Sequence, residues 1–274
     1  MQPSPFSNAS SAQLMVKVKV FDSKEATSKK RVAAGAPTHD APGFHAVVEA
    51  RRSVRIYAED EVPAEVMRRC LASAQLAPNS SNLQVWEAHW VRNPEKRKEL
   101  ARICMGQPAA VTAPELVVFV ARPDRWREHN EWMIRRLKSD PKTPAKGLQY
   151  FEKITKLVYT LGPWGIFRPF KWLWFTVRGW STPTPREPLS LAQLAAWAHK
   201  STALACAHYM LALRAEGYDS CPMEGFDAWR VRRLLGLPRG AKVTMVISAG
   251  RRAEGGVYGP RFRFDLDTFV KEHV

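Results

Sequence analysis

The chain has 274 residues, of which 45% are hydrophobic and 25% are charged, as in a soluble globular protein with one large domain or two small ones. The net charge of +16 favours anionic partners: phosphorylated cofactors, acidic substrates, anionic membranes or nucleic acid. The four cysteines lack C-x-x-C spacing, which argues against a disulfide framework and against a zinc site.

The first 42 residues are rich in Ser, Ala, Pro and Lys, and we expect most of this N-terminal extension to be poorly ordered. Within it, residues 14–21 alternate valines with lysines, which indicates an edge strand or an arm lying on a partner subunit. No apolar signal core is present near the N-terminus, so we expect a cytoplasmic location. Residues 43–274 are expected to form a single domain.

Helical and strand patterns are interleaved irregularly from residue 44 onward. The predicted helices cover residues 44–50, 63–76, 94–103, 189–216 and 227–235, and the predicted strands cover 85–91, 115–121 and 242–249. Asp227 is the expected N-cap of the last helix. This order predicts an α+β fold in which a small mixed sheet is flanked by helices.

The longest helical pattern, residues 189–216, is apolar nearly all round. Such a helix must be buried on most sides. In a chain of this size, we therefore expect it to form the centre of a subunit interface. Gly217 is placed to end it.

Three arginines and a serine follow the first predicted helix: Arg51, Arg52, Ser53 and Arg55. Guanidinium forks bind a phosphate dianion in bidentate fashion, and a serine hydroxyl can complete its hydrogen bonds. A solvated basic turn, placed where cations complement a helix dipole, is the alternative.

Three further stretches occur in chain order: APNSSNLQVW at 77–86, GYDSCPMEGFD at 217–227 and SAGRR at 248–252. Together with the arginine stretch they resemble the FMN-dependent nitroreductase family, over roughly residues 44–121 and from 189 to the C-terminus. The resemblance implies an obligate homodimer with FMN bound across the subunit interface and NAD(P)H as the electron donor.

The resemblance also implies which residues bind the cofactor. They are Arg51, Arg52, Ser53, Arg55, Asn79, Ser80, Asn82, Gln84, Pro222, Met223, Glu224, Gly225, Gly250, Arg251, Arg261 and Arg263. The arginines would bind the phosphate, whereas Asn82 and Gln84 would suit the pyrimidine edge of the ring or the ribityl hydroxyls. A plain polar turn after Pro78 would also account for residues 79–82. Arg252 is expected to be a solvated neighbour.

The segment 222–225 is expected to face the reactive side of the flavin. The family uses the backbone N–H at Gly225 as a donor to flavin N5, and glycine permits that approach because it has no side chain. Glu224 would position water or the nicotinamide, or would simply be an acidic residue near the helix that begins after Asp227. The chain departs from the family pattern at Asn79, where serine is usual, and at Val85, where proline is common.

Residues 122–188 match no part of the family and form a basic, Trp-rich insertion. Residues 122–187 hold 14 Lys and Arg against 6 Asp and Glu, which leaves a net charge of +8. We consider three interpretations: a lid whose Trp164, Phe167, Phe170 and Trp172 line the substrate pocket, an element at the membrane interface involving residues 157–180, or a segment that packs on its own dimer. A bilayer span is excluded, because it needs about 20 mainly apolar residues.

The implied activity is that of an FMN-dependent NAD(P)H oxidoreductase that reduces nitroaromatic, quinone-like or other electron-poor small molecules by ping-pong hydride transfer. One alternative keeps the fold but changes the flavin reaction to phenol dehalogenation, heterocycle oxidation or flavin fragmentation. The other is a non-catalytic flavoprotein or a basic binder of membranes or nucleic acid. Nucleic acid is the weaker partner, because no nucleic-acid module is recognised. We expect no metal.

Overall fold

The computed structural model describes residues 39–162 and 168–273. The predicted strand at 14–21 lies outside the described residues, as do Trp164 and Phe167.

Within these ranges the chain folds into short helices around one sheet. The helices are α1 (Ala41–Ala50), α2 (Ala64–Gln75), α3 (Pro94–Ile103), α4 (Pro108–Val111), α5 (Trp126–Lys138), α6 (Ala145–Gln149), α7 (Thr155–Tyr159), α8 (Arg168–Gly179), α9 (Leu191–Ala215), α10 (Ala228–Leu235) and α11 (Leu266–Phe269). The strands are β1 (Trp86–Trp90), β2 (Glu115–Ala121), β3 (Asp219–Met223) and β4 (Lys242–Gly250). A π-helical turn, Tyr150–Ile154, joins α6 to α7. No helix of the described ranges has both the length and the apolar character that crossing a bilayer requires.

Several helices begin where a polar side chain satisfies a free backbone N–H. The Asp40 carboxylate accepts from the N–H of Gly43 at 3.0 Å, and α1 therefore starts three residues earlier than predicted. Asn93 and Ser190 cap α3 and α9 in the same way. The expected cap at Asp227 is confirmed, with its carboxylate accepting from two N–H groups of the first turn of α10.

The sheet has the strand order β1–β2–β4–β3, and its three strand pairs are all antiparallel. The α+β class is confirmed, but these pairings differ from the mixed sheet that was expected. Parallel geometry occurs in the isolated bridge between Ser53 and Ser220. The relative direction of two strands depends on the path of the chain between them, and hydrophobic periodicity does not predict that path.

Strand β2 is buried on both faces, as its continuous apolar sequence predicts. Leu116, Val118 and Val120 belong to a core cluster that includes residues of α3 and α10. Val117 and Phe119 belong to a second cluster formed with α2 and α9. Helices therefore cover the sheet on two sides, and the strand ends and loops remain available for a site.

Helix α9 packs one side against the sheet and leaves the other open in this single chain. Ser201, Ala205 and Tyr209 are buried, whereas Ala203 is exposed and Leu204 is 44% exposed. The outward side carries small and apolar residues together with the exposed Lys200. The role of α9 at a subunit interface remains a prediction.

Residues 122–188, the predicted insertion, form α5 to α8 and share an apolar cluster with the rest of the domain. Tyr159 packs its ring on Trp197 of α9, with a distance of 4.3 Å between the ring centroids. The same cluster includes Leu83 and Val85, which lie between α2 and β1 in the chain. The first part of the insertion is therefore packed against the loop that carries the predicted Asn82 and Gln84.

Candidate functional site

Arginines line a cavity of about 280 Å³ at the C-terminal end of α1. Arg51, Arg52, Ser53 and Arg55 form one side, and residues of the C-terminal segment 257–263 form the other. None of the described residues that line the cavity carries a carboxylate. The cavity therefore concentrates positive charge without an internal counterion.

Hydrogen bonds from arginines to carbonyl groups attach the C-terminal segment to the end of α1. A terminal nitrogen of Arg261 donates to the carbonyl oxygen of Glu49 at 2.7 Å and also to that of Arg51. Arg52 donates to the carbonyl oxygen of Gly259 at 2.7 Å. Because neutral carbonyls are the acceptors, these contacts position the guanidinium groups without cancelling their charge.

The positive charges in the cavity act on one another. Partial burial, followed by the charges of Arg261 and Arg263, lowers the pKa of the Arg51 guanidinium. Within residues 39–162 and 168–273, no carboxylate forms an ion pair with the following cavity arginines: Arg51, Arg55, Arg261 and Arg263. A bound dianion would relieve this repulsion, so the donor set fits a phosphate group.

Strand β3 leads from the arginine cavity to the predicted glycine donor. The backbone N–H of Val54 donates to the carbonyl oxygen of Ser220 at 3.1 Å, which places the start of β3 beside the cavity. Gly225 lies five residues further along, at most about 16 Å away for an extended chain. The two ends could thus be bridged by one elongated molecule that carries a phosphate at one end and a ring at the other.

The backbone around Gly225 is fixed by Gln107. The Gln107 side-chain amide donates to the carbonyl oxygen of Gly225 at 2.7 Å and to that of Cys104 at 3.1 Å. The N–H of Gly225 has no hydrogen-bond partner among the described residues, and this glycine is exposed. Its carbonyl is therefore held while its N–H remains available to a ligand. The adjacent Glu224 side chain is exposed, near the start of α10.

The loop after α2 adopts an unusual backbone conformation. Ser81, Asn82 and Gln84 have φ values of 56°, 49° and 48°, in a region that non-glycine residues rarely occupy. The Asn79 carboxamide oxygen accepts from the N–H of Gln84 at 2.8 Å, which closes the loop on itself. Asn79 therefore shapes the loop, whereas the side chain of Asn82 is exposed and lies 3.5 Å from the amide nitrogen of Asn79 and 4.0 Å from the sulfur of Met133.

Comparison with known proteins shows which family the chain belongs to. The family model described as "Nitroreductase family" matches residues 48–251. The chain belongs to the nitroreductase family. This confirms the resemblance and the expected fold, and it makes the chain an oxidoreductase.

Individual nitroreductase-family relatives cover most of the chain. The NADH dehydrogenase of Thermus thermophilus is 29% identical over 220 residues, which cover 80% of this chain and 91% of that protein. The structure of ydfN from Bacillus subtilis superposes with a TM-score of 0.69 at 20% identity, covering 85% of this chain and 100% of that chain. An FMN complex from Exiguobacterium sibiricum has a TM-score of 0.59 at 19% identity, covering 89% and 100%.

This nitroreductase-family chain also has a hydroxyl network that sequence reasoning missed. The Ser81 hydroxyl lies 2.7 Å from the hydroxyl of Tyr150 and 3.0 Å from that of Tyr159. The Ser80 hydroxyl lies 3.2 Å from the hydroxyl of Tyr159. Burial raises the pKa of Tyr159, which favours its neutral phenol. The insertion thus holds the loop of residues 79–84 directly.

Six of the 16 predicted cofactor-binding residues line the arginine cavity, and four of the others have packing or strand contacts of their own. Arg251 stacks over the ring of Tyr218 at 4.9 Å and is not among the residues lining the cavity. A Cβ at Gly250 would meet Pro114 at 2.7 Å, which gives this glycine a packing role. Pro222 and Met223 belong to β3 and pair with β4, and the Met223 side chain is buried.

Arg252 is exposed, as expected, but it also forms an ion pair that the sequence did not predict. Its guanidinium donates two hydrogen bonds, both of 2.7 Å, to the carboxylate of Asp219. Arg214 donates to the same buried carboxylate at 2.7 Å. The ion pair between Asp219 and Arg252 could not be predicted from sequence, because the two residues are 33 positions apart and meet only when β3 and β4 pair.

The aromatic residues expected to form a lid are largely turned to solvent. Phe170 is 74% exposed and Trp172 is 56% exposed. Trp172 lines a surface cleft together with Phe175 and Arg186, apart from the arginine cavity. Tyr150 and Tyr159, rather than these two residues, connect the insertion to the candidate site.

Proposed function

We propose that the chain is an FMN-dependent oxidoreductase that uses NAD(P)H to reduce electron-poor small molecules such as nitroaromatics and quinones. The main support is the arginine cavity, whose cations lack an acidic partner among the described residues and whose neighbouring strand leads to Gly225. Family membership and the FMN complex of a structural relative support the same assignment. When bound, FMN supplies the redox chemistry, and the protein binds and orients it.

The phosphate would be held by Arg51, Ser53 and Arg55 from one side and by Arg261 and Arg263 from the other. All five line one cavity. Guanidinium forks give directional, charge-assisted hydrogen bonds to phosphate oxygens, and Ser53 adds a hydroxyl donor.

The ring end would meet the backbone at Gly225. Its free N–H is a donor that needs no side-chain movement, because Gln107 already fixes the carbonyl of the same residue. The absence of a Cβ also leaves room for close approach. Asn82, exposed at the tip of its loop, would supply a carboxamide to the ring edge or to the ribityl chain.

The working unit proposed here is a homodimer. The outward side of α9 presents Ala196, Ala203 and the half-exposed Leu204. The C-terminal segment exposes Phe262 by 80% and Phe264 by 76%. Apolar side chains at this density mark a surface that is covered in the functional state. A second copy would bury them and would bring its own loop of residues 79–84 towards this site.

The test begins with the purified chain freed of flavin. Added FMN should bind at one site per chain, which is measured by the quenching of its fluorescence. Anaerobic addition of NADH or NADPH should then bleach the bound flavin. A turnover panel of nitroaromatics, quinones and halophenols should give activity with the first two classes. Failure to bind FMN, or a bound flavin that neither nicotinamide reduces, would refute the proposal. Turnover of halophenols alone would refute the proposed substrate class and favour reductive dehalogenation.

A further inference from the structure

Helix α8 of the insertion exposes large apolar residues while it buries a lysine. Its inward side carries Lys171 and Phe175, which are 9% and 5% exposed. Its outward side carries large apolar residues, which we call the apolar stripe: Phe170 (74% exposed), Leu173 (56%), Val177 (49%) and, just past the helix end, Trp180 (79%). A helix on a water-facing surface normally shows the opposite arrangement.

A specific contact fixes this orientation. The Lys171 ammonium donates to the carbonyl oxygen of Val158 at 2.5 Å, near the C-terminal end of α7, and lies 5.7 Å from the ring centroid of Phe175. The spacing of Phe170, Leu173 and Val177 at i, i+3 and i+7 then places the stripe on the opposite side of the helix. The helix is therefore attached by its cation and presents its apolar residues outward.

The stripe requires a partner. Exposed apolar side chains that are contiguous, rather than scattered singly, mark interaction surfaces. The small residues on the outward side of α9 suit close helix packing against a second copy, whereas the stripe consists of bulky residues, two of them aromatic.

Exposed cations occur in the same part of the chain as the stripe. Lys153 and Lys156 are exposed on the preceding turns, and Arg178 and Arg186 are exposed at and beyond the end of α8. Residues 122–187 carry a net charge of +8. A helix side that exposes Trp and Phe, within a segment rich in exposed Lys and Arg, is typical of a helix that lies in the headgroup region of a membrane.

We propose that the apolar stripe binds the surface of a bilayer that contains anionic lipids, with α8 lying parallel to the membrane plane. Exposed cations complement the lipid phosphates, and Phe170, Leu173, Val177 and Trp180 enter the boundary with the acyl chains. With 12 residues, α8 is about 18 Å long and stays at the surface. The inference is independent of the flavin reaction.

Vesicle flotation of the full-length protein tests this. Wild type should float with vesicles of phosphatidylcholine mixed with phosphatidylglycerol and should float poorly with phosphatidylcholine alone. The triple variant Phe170→Ser, Leu173→Ser, Val177→Ser should bind the anionic vesicles at least about ten-fold more weakly, because three apolar anchors are lost. The matched control is Leu76→Ser with Val111→Ser, two apolar residues that are 82% and 61% exposed outside the insertion.

A charge-reversal variant measures the electrostatic contribution to vesicle binding. Arg178→Glu with Arg186→Glu should weaken binding to anionic vesicles and make it less dependent on salt, whereas Arg68→Glu on α2 should not. Wild type that stays in solution with anionic vesicles would overturn the proposal, as would a triple variant that floats like wild type. If the triple variant instead turns a dimer into a monomer in light scattering, with flotation unchanged, the stripe is a contact between copies and the lipid proposal is wrong.

Discussion

Replacing Arg51 by methionine should have opposite effects on cofactor binding and on the stability of the flavin-free protein. Arg51 lies in a cavity with Arg261 and Arg263 and is paired with no carboxylate of the described chain. Burial and these two charges lower its pKa, which means that its charged form is disfavoured before a ligand binds. A phosphate dianion turns the same charge into a favourable one.

The sizes of the two effects depend on the kinds of interaction involved. A hydrogen bond to a charged group contributes about 1.5–3 kcal/mol, so Arg51→Met should weaken FMN binding by about 10- to 150-fold. The repulsion relieved in the flavin-free protein is smaller, because Arg51 is only partly buried and solvent screens it. We expect a gain below about 1 kcal/mol, which corresponds to a rise in Tm of roughly 2 °C for a chain of this size.

Fluorescence titration with FMN and thermal unfolding of the flavin-free protein measure the two effects. Arg68→Met, at an exposed position of α2, is the matched control and should change neither quantity appreciably. Unchanged FMN affinity in Arg51→Met would refute the phosphate assignment. A fall in Tm of the flavin-free variant would refute the claim that the cluster is electrostatically strained.

Three further outcomes are expected. Tyr159→Phe removes the hydroxyl that contacts Ser81, so the free energy of unfolding measured in urea should fall by about 1–2 kcal/mol. FMN affinity should fall by up to about ten-fold. If neither quantity changes, the insertion does not hold the loop of residues 79–84. Asp219→Asn leaves Arg252 without its carboxylate and should cost about 3 kcal/mol in the same assay, with flavin binding retained once the protein is folded. Lys171→Met loses the hydrogen bond to Val158 but also removes the desolvation cost of a buried ammonium, whose pKa burial lowers from 10.5 to about 8; the net effect at pH 7 should be a stabilisation of up to about 2 kcal/mol. Since the unfolded chain binds more protons between those values, wild-type stability should rise across that pH window and the advantage of the variant should disappear near pH 10.5; an advantage that does not depend on pH would contradict this.

Local signals in the sequence explain most of the correctly predicted elements. Asp227 and Pro94 mark the starts of α10 and α3 because capping and first-turn preferences act within a few residues. The continuous apolar run of β2 was enough to predict its bounds. The arginine stretch was also recognisable, because its members are neighbours in the chain.

The elements that were missed depend on distant contacts. Sequence reading assigned no strand to residues 219–223, because this stretch contains a proline and polar residues. It forms β3 at the edge of the sheet, where a missing N–H is tolerated, and buries Cys221 and Met223 in the core. The hydroxyl contacts of Tyr150 and Tyr159 join segments about 70 residues apart, and no local pattern reports them.

The two tyrosines also decide how the protein could be shortened. Residues 122–188 look removable in sequence because they carry none of the four motifs on which the resemblance was based, yet the family model spans them and their first half is tied to the core. Asn130 donates to the carbonyl oxygen of Phe151 at 3.0 Å, and Thr155 donates to Asn130 at 2.7 Å, so α5 holds the π-helical turn with Tyr150 and the start of α7, which ends at Tyr159. A minimal version for engineering would therefore keep residues 122–162 as scaffold and trim only within residues 163–188.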